Sequence, residues 1–194
     1  MRLVVNIVLL LIIVLLGWVL IQSIREPIAF QAERTKREDA VIERLRQIRT
    51  TQEMFRSIKG GFAPSFDSLI KVLSTEKFAT IKVIGDPDDP NFTGTVQFDT
   101  IFTPAIDSIK RLGINLDSLR YVPYGENHAT FDIQADTITY QSTNVPVVEV
   151  GVPREKFMGP YKDKRFARYD QKYDPKKPIK FGNMGAPNLS GNWE

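Results

Sequence analysis

The chain has no cysteine and only one histidine in 194 residues, and these scarcities remove much of the usual reactive chemistry. Without thiols there is no disulfide framework, no thiolate zinc site and no cysteine nucleophile, whatever the compartment. His128 lies in a Gly-Glu-Asn-His run, with no serine or acid spaced beside it as a nucleophile and base pair. It reads as a solvated loop residue. No phosphate-cradling glycine loop, zinc spacing or pair of catalytic carboxylates can be argued. Asp86, Asp88 and Asp89 offer oxygen ligands to calcium, but the glycine and distal glutamate of an EF-hand loop are missing, and an Asp-Pro turn is the favoured reading. The sequence predicts no catalytic residue, no metal, no cofactor and no enzyme.

Charge is scarce at the start, where residues 3–21 are apolar except for Asn6 and Gly17. Nineteen helical residues reach about 28 Å, close to the roughly 30 Å of bilayer hydrocarbon. Leu, Ile and Val each favour insertion by about 0.3 to 0.6 kcal/mol at the helix centre. Leu3, Ile7, Leu10, Val14, Trp18 and Ile21 mark the expected anchor, with Trp18 suited to the interface. A cleaved signal peptide competes with this reading, as does a buried soluble helix. The exit, Trp18-Val19-Leu20-Ile21-Gln22-Ser23, offers no small-residue cleavage site, so an uncleaved single pass over residues 1–24 is expected.

The flanks disagree about orientation. Arg25, Arg34, Lys36 and Arg37 follow the span, which by a plain positive-inside count keeps the body cytoplasmic. Glu26, Glu33, Glu38 and Asp39 interleave them. Charge alone leaves the question open.

Pro27 can kink the helix as it leaves the bilayer. Helix then resumes to residue 59, with no further glycine or proline to interrupt it. Residues 31–40 are polar on nearly every side and predict a solvated stalk, held by pairs such as Glu33 with Arg37. Val41, Leu45, Ile48, Phe55 and Ile58 then form one apolar stripe, a helix that packs. Gly60-Gly61 closes it.

Residues 60–153 read as a small α+β domain. Short helices are expected over 66–73, capped by Ser65, and over 104–111, closed by Gly113. Strands are expected over 77–84, 95–102, 119–122, 129–134, 137–142 and 145–150, paired antiparallel through short turns, with Pro146 marking an edge or bulge. The fold class is α+β, a long N-terminal helix, transmembrane then amphipathic, packed on a small antiparallel sheet.

Residues 154–194 form a basic aromatic tail. Residues 156–181 hold nine Lys or Arg against three Asp, a net +6 in a chain of net +3. Lys164, Arg165 and Arg168, interleaved with Tyr169 and Tyr173, and Trp193 at the end are candidate partner-binding residues, rings stacking and cations steering. The plainer reading is that the rings wrap the tail onto the domain while the cations stay in water. Nucleic acid suits the residue types but not an external body, so none is expected.

A membrane helix continuing into an amphipathic half, followed by Gly61-Phe62-Ala63-Pro64-Ser65 and a small sheet, is similar to the layout of type IV pilins and type II secretion pseudopilins. Residues 45–55 and 61–69 carry that likeness. It departs from pilins in having Asn6, and no glutamate, early in the apolar helix. Residues 37–50, Ser65-Phe66-Asp67-Ser68-Leu69, Asp117-Ser118-Leu119-Arg120-Tyr121-Val122-Pro123 and Gly191-Asn192-Trp193-Glu194 resemble an uncharacterised family of single-pass envelope proteins of Bacteroidota. Asp followed by Ser or Thr and an aliphatic residue recurs, placing Ser68, Thr100, Ser108, Ser118 and Thr137 in triplets that look like the O-glycosylation acceptor of the same phylum. The alternative is that Asp and Ser recur because both start helices and turns. These resemblances imply an inner-membrane protein with a periplasmic body.

The expected function is a noncatalytic structural or interaction subunit of an envelope assembly, pilin-like or secretion-associated. Its partners would be the lipid bilayer and either envelope proteins or further copies of itself. The alternative is a module whose tail captures an anionic glycan or lipid. A hydrolase dependent on His128 is a distant third reading.

Overall fold

A computed structural model describes residues 1–84 and 97–194. The Asp86, Asp88 and Asp89 turn, and the start of the strand expected from residue 95, lie outside the described residues. The chain is α+β: a long N-terminal helix followed by short helices and two small antiparallel sheets.

Helix α1 runs without a break over Arg2–Lys59, with Pro27 inside it. The interruption expected at Pro27 does not occur. Proline removes one intrahelical hydrogen bond, and the turn that contains it is flanked by tail contacts at Glu26 and Phe30. Gly60 ends α1 in the left-handed conformation, φ 79°, donating its N–H to the Arg56 carbonyl, as a C-cap without a Cβ can do at no steric cost.

The expected stripe faces inward. Val41, Leu45 and Ile48 are fully buried, Phe55 nearly so, and Ile58 packs at the margin. Two polar residues missed by the sequence reading sit in the same interface. Gln52 donates Nε2–H to the Ala63 carbonyl at 3.1 Å and accepts from the Ala63 N–H at 2.9 Å, so its amide satisfies the peptide group of the turn after α1. Thr51 donates its hydroxyl to the Ile48 carbonyl at 2.8 Å. Burying such groups is tolerable only because each is paired.

Helix α2 is Phe66–Thr75, N-capped by Ser65, whose hydroxyl accepts from the Ser68 N–H. Strands β1, Lys77–Ile84, and β2, Gln97–Pro104, make a two-stranded ribbon. Helix α3 is Ala105–Arg111, followed by Gly113 at φ 68°. The second sheet has the order β3-β4-β5, from Asp132–Tyr140, Thr143–Pro153 and Pro178–Gly182.

Two expectations are corrected here. The strands expected over 129–134 and 137–142 are one strand, because the chain reverses at Gln141 and Ser142, whose φ values of 47° and 65° make the two-residue hairpin turn. Residues 119–122 form turns with a single bridge, Tyr121 to Thr130. Pro146 does sit at a local edge of the sheet. Strand β4 is central, but β5 pairs only with residues 149–153, so at Pro146 β4 has a strand on one side only and no ladder bond is forfeited on the other.

Strand β5 comes from the tail. Its Ile179 and Phe181 are buried with Val148, Val150 and Val152 of β4 and with the α1 stripe in one continuous core. The tail also supplies Phe157, Met158, Phe166 and Tyr173 to that core. At Gly182, φ 83°, a Cβ would be driven into the Val148 carbonyl oxygen, which explains glycine at the end of this strand.

Candidate interaction site: the tail clasped around the helix

Residues 31–40 are not a free stalk. Phe30, immediately before the polar stretch, is completely buried. Four tail rings enclose it: Phe166 stacks at 5.2 Å between centroids, Tyr173 meets it edge-on at 5.0 Å, and Tyr161 and Tyr169 lie at 5.8 and 6.2 Å. The segment is covered on one face, not solvated all round, and the apolar partners of Phe30 come from more than 130 residues away, beyond the reach of local periodicity.

Polar contacts close around this aromatic centre. Toward the apolar end of α1, Glu26 accepts from the Tyr169 hydroxyl at 2.6 Å and from Arg168 Nη2 at 3.0 Å, with Arg165 at 3.8 Å. The Tyr169 hydrogen bond holds the Glu26 carboxyl below its usual range, and the same bond raises the Tyr169 phenol. On the far side, Arg34 bridges Glu38, at 3.0 Å, and Asp170. Asp170 is held low by the Lys172 N–H and by Arg34. Glu38 also takes Arg154 Nε at 2.7 Å. Arg37 keeps the expected pair with Glu33, at 2.9 Å, and donates Nη1–H to the Phe157 carbonyl at 2.8 Å. This guanidinium lies against Gly159, where a Cβ would come within 2.8 Å of Nη1. Tyr173 donates its hydroxyl to the Tyr161 carbonyl at 2.6 Å, and burial pushes its phenol up to about 12.

A second clamp holds the extreme end. Glu194 pairs with Arg49 at 2.7 Å, and Arg49 also reaches the Leu189 carbonyl. Asn192 exchanges hydrogen bonds with the backbone of Lys180 and donates to the Pro178 carbonyl. Trp193 packs at the edge of the core.

The six residues expected to meet a partner therefore divide. Tyr173 is 2 % exposed and Trp193 half-buried, so both serve the intramolecular clasp. Tyr169 is half-buried against Phe30 and Glu26. Lys164, Arg165 and Arg168 stay exposed, on a short 3-10 helix, Lys164–Arg168, whose N-cap Asp163 accepts from the Arg165 N–H. The sequence offered one clue to this arrangement, the alternation of rings and cations, but no sign of which helix turn the rings would grip.

The anchor residues Leu3, Ile7, Leu10, Val14, Trp18 and Ile21 are all exposed. Among the described residues this is the one helix long and apolar enough to cross a membrane, and none of its most apolar window is buried within the protein.

Of the triplet hydroxyls, Thr100 and Thr137 are exposed, whereas Ser68, Ser108 and Ser118 are half-buried. Ser68 accepts from the Ser65 hydroxyl, and Ser118 accepts from Arg44. Asp67 and Asp107 occupy first turns of α2 and α3, where carboxylates favour the helix dipole. His128 is exposed, at φ 59°, edge-on to Tyr121.

A second surface lies on the β1-β2 ribbon. Ile81 and Phe102 project from one face, 62 % and 63 % exposed, with Ala79 beside them, while Phe78 on the opposite face packs on the core. Neither outer edge of the ribbon is paired among the described residues.

No family model, curated protein or solved structure matches this chain.

Proposed function

We propose that this chain is a noncatalytic structural and interaction subunit of a cell-envelope assembly, held in the inner membrane by a single pass with its body in the periplasm. The observation that carries the reading is the continuity of α1. One unbroken helix has a bare apolar half and a half enclosed by the rest of the chain, so a force or position imposed at the bilayer passes directly to the body.

Two further features support the assembly role. The outward apolar face of the β1-β2 ribbon, with Ile81 and Phe102, is suited to burial against protein, and unpaired strand edges are templates for strand addition. The similarity to the pilin and pseudopilin layout, and the resemblance to single-pass envelope proteins of Bacteroidota, favour the same role. The Asp-Ser/Thr triplets favour the outer side of the membrane, with Thr100 and Thr137 the two accessible hydroxyls.

Gentle detergent extraction followed by crosslinking and sizing tests the assembly role: association with partners or with other copies is expected, and recovery solely as a lone monomer would refute it. Protease access to the C-terminus in spheroplasts tests the side. Protection of the tail there, with exposure only after lysis of the inner membrane, would place the body in the cytoplasm.

A further inference from the structure

The clasp grips α1 close to where its apolar run ends. Glu26 lies five residues beyond Ile21, a rise of about 7.5 Å, and the headgroup layer on each side of the hydrocarbon is about 5 to 7.5 Å thick. Everything bonded to Glu26 therefore sits at the depth of the lipid phosphates once α1 spans a bilayer. Arg165 and Arg168 are bonded to it, Lys164 adjoins them, and Arg25 lies next to it on the helix and is exposed. These four cations face two carboxylates, Glu26 and the capping Asp163.

An open groove of about 480 Å³ runs beside Arg168, lined by Val19, Gln22, Ser23, Glu26, Arg168 and Tyr169. Its composition is graded along the membrane normal. Val19 belongs to the hydrocarbon end, the Gln22 amide and Ser23 hydroxyl to the ester level, and the guanidinium of Arg168 to the phosphate level. We infer that this groove seats an anionic phospholipid of the surrounding leaflet, its phosphate against Arg168, Arg165 and Lys164, its ester region at Gln22 and Ser23, and an acyl chain along Val19. The inference rests on the single-pass reading of α1. The occupant is the bilayer's own lipid because the helix that lines the groove is the one that would be embedded, so the site would be at headgroup depth whenever the protein is in place.

Geometry separates this site from general basicity. Lys176 and Lys177 are exposed too, but Arg154 ties the Lys177 carbonyl to the level of Glu38, seventeen residues above Ile21 and so about 25 Å from the hydrocarbon edge. That is more than twice the Debye length of about 8 to 10 Å at ordinary salt. Cations there should not sense the lipid surface.

The test uses the full chain reconstituted into vesicles or nanodiscs of phosphatidylcholine with a minor fraction of phosphatidylglycerol. Flotation is measured first, then the lipid retained by the protein is measured by native mass spectrometry after release. The wild type should float and retain phosphatidylglycerol above its bulk fraction. K164Q/R165Q leaves the Arg168-Glu26-Tyr169 contacts in place and should lower that enrichment several-fold, each cation near an anionic surface being worth up to about fivefold. K176Q/K177Q should retain wild-type enrichment. Equal retention of both lipids by the wild type, no change in K164Q/R165Q, or an equal fall in K176Q/K177Q would each overturn the lipid site while leaving the anchor intact. A chain that fails to float would instead overturn the single-pass reading, and the lipid site with it.

Discussion

Phe30→Ala isolates the clasp from the rest of the fold. A phenylalanine on a solvated stalk would cost little to truncate, within about 0.5 kcal/mol for an ordinary surface site. Phe30 is instead sealed, with a stacked ring at 5.2 Å and an edge-on ring at 5.0 Å, and truncating a buried phenylalanine typically costs about 3 to 5 kcal/mol. All four rings around it belong to residues 161–173. The loss should thus fall on release of that segment, while β5 remains paired to β4 through five residue pairs. A drop of about 3 to 5 kcal/mol raises the released population by roughly two to three and a half orders of magnitude. Native-state proteolysis follows that population when opening and reclosing are fast relative to cleavage. Trypsin should therefore cut Phe30→Ala after Lys164, Arg165 or Arg168 at least about a hundredfold faster than the wild type. Gln31→Ala, at the exposed neighbour, should leave the rate unchanged. If Phe30→Ala is cut within about threefold of the wild-type rate, its loss is no larger than a surface substitution, and the tail is not held by this ring.

Gln52→Ala strands both the N–H and the carbonyl of Ala63 in a buried position; at about 1 to 3 kcal/mol per orphaned group, denaturant unfolding should show a loss well beyond that of the exposed neighbour Glu53→Ala. Tyr173→Phe removes the hydroxyl bonded to the Tyr161 carbonyl and should cost about 0.5 to 1.5 kcal/mol. In a spectrophotometric phenol titration it should delete a transition near pH 12. Because the Tyr173 pKa is raised on folding, its contribution is complete below the ordinary phenol value near 10 and is lost as pH climbs through about 12. Glu26, Glu33, Asp170 and Glu194 are shifted the other way, below ordinary values of 4.5, 4.5, 3.8 and 4.5. Their contribution is present above those values and is lost as pH falls below them, so the hydrogen-exchange protection of the tail, taken relative to the intrinsic rate at each pH, should fall on acidification through that window, and less so in Glu26→Gln. Gly182→Ala must place a side chain at φ 83° and against the Val148 carbonyl; calorimetry should show a lower melting temperature than for Gly185→Ala, where the nearest atom to an added Cβ is the Asn183 side chain at 3.4 Å.

Features set by neighbouring residues are legible in this sequence. The apolar opening, the Val41-Leu45-Ile48-Phe55 stripe, the Ser65 cap and the Gly60 terminator each depend on residues of one continuous segment, and each is present as expected. The β3-β4 hairpin was split because Gln141-Ser142 lacks the Asn-Gly signal for a two-residue turn, yet both residues adopt positive φ. The clasp was the larger omission. Glu26, Phe30, Arg34 and Glu38 recur every four residues along one face of α1 and bind the tail in turn. A single aromatic among charges gives no apolar period, so the face read as solvated. Burial there depends on the tail's own rings, and pairing segments so distant in sequence lies beyond any window of periodicity.

The clasp also changes what the helix can do. A polar stalk would hold the body away from the bilayer and let it swing. Here, contacts begin at Glu26 and continue at Phe30, Arg34, Arg37 and Glu38, so the helix is part of the folded body from about one turn after its apolar run. Tilting α1 by itself would break the Glu26 contacts before those at Arg49, since one lies beside the apolar run and the other about 35 Å along the helix. The body must then tilt as a unit with its anchor. In the proposed single-pass arrangement, that coupling would fix the orientation of the β1-β2 ribbon, with Ile81 and Phe102 on its outer face, relative to the bilayer. A partner meeting that face would meet it at one height and one angle, which favours an ordered assembly over a loosely tethered capture module.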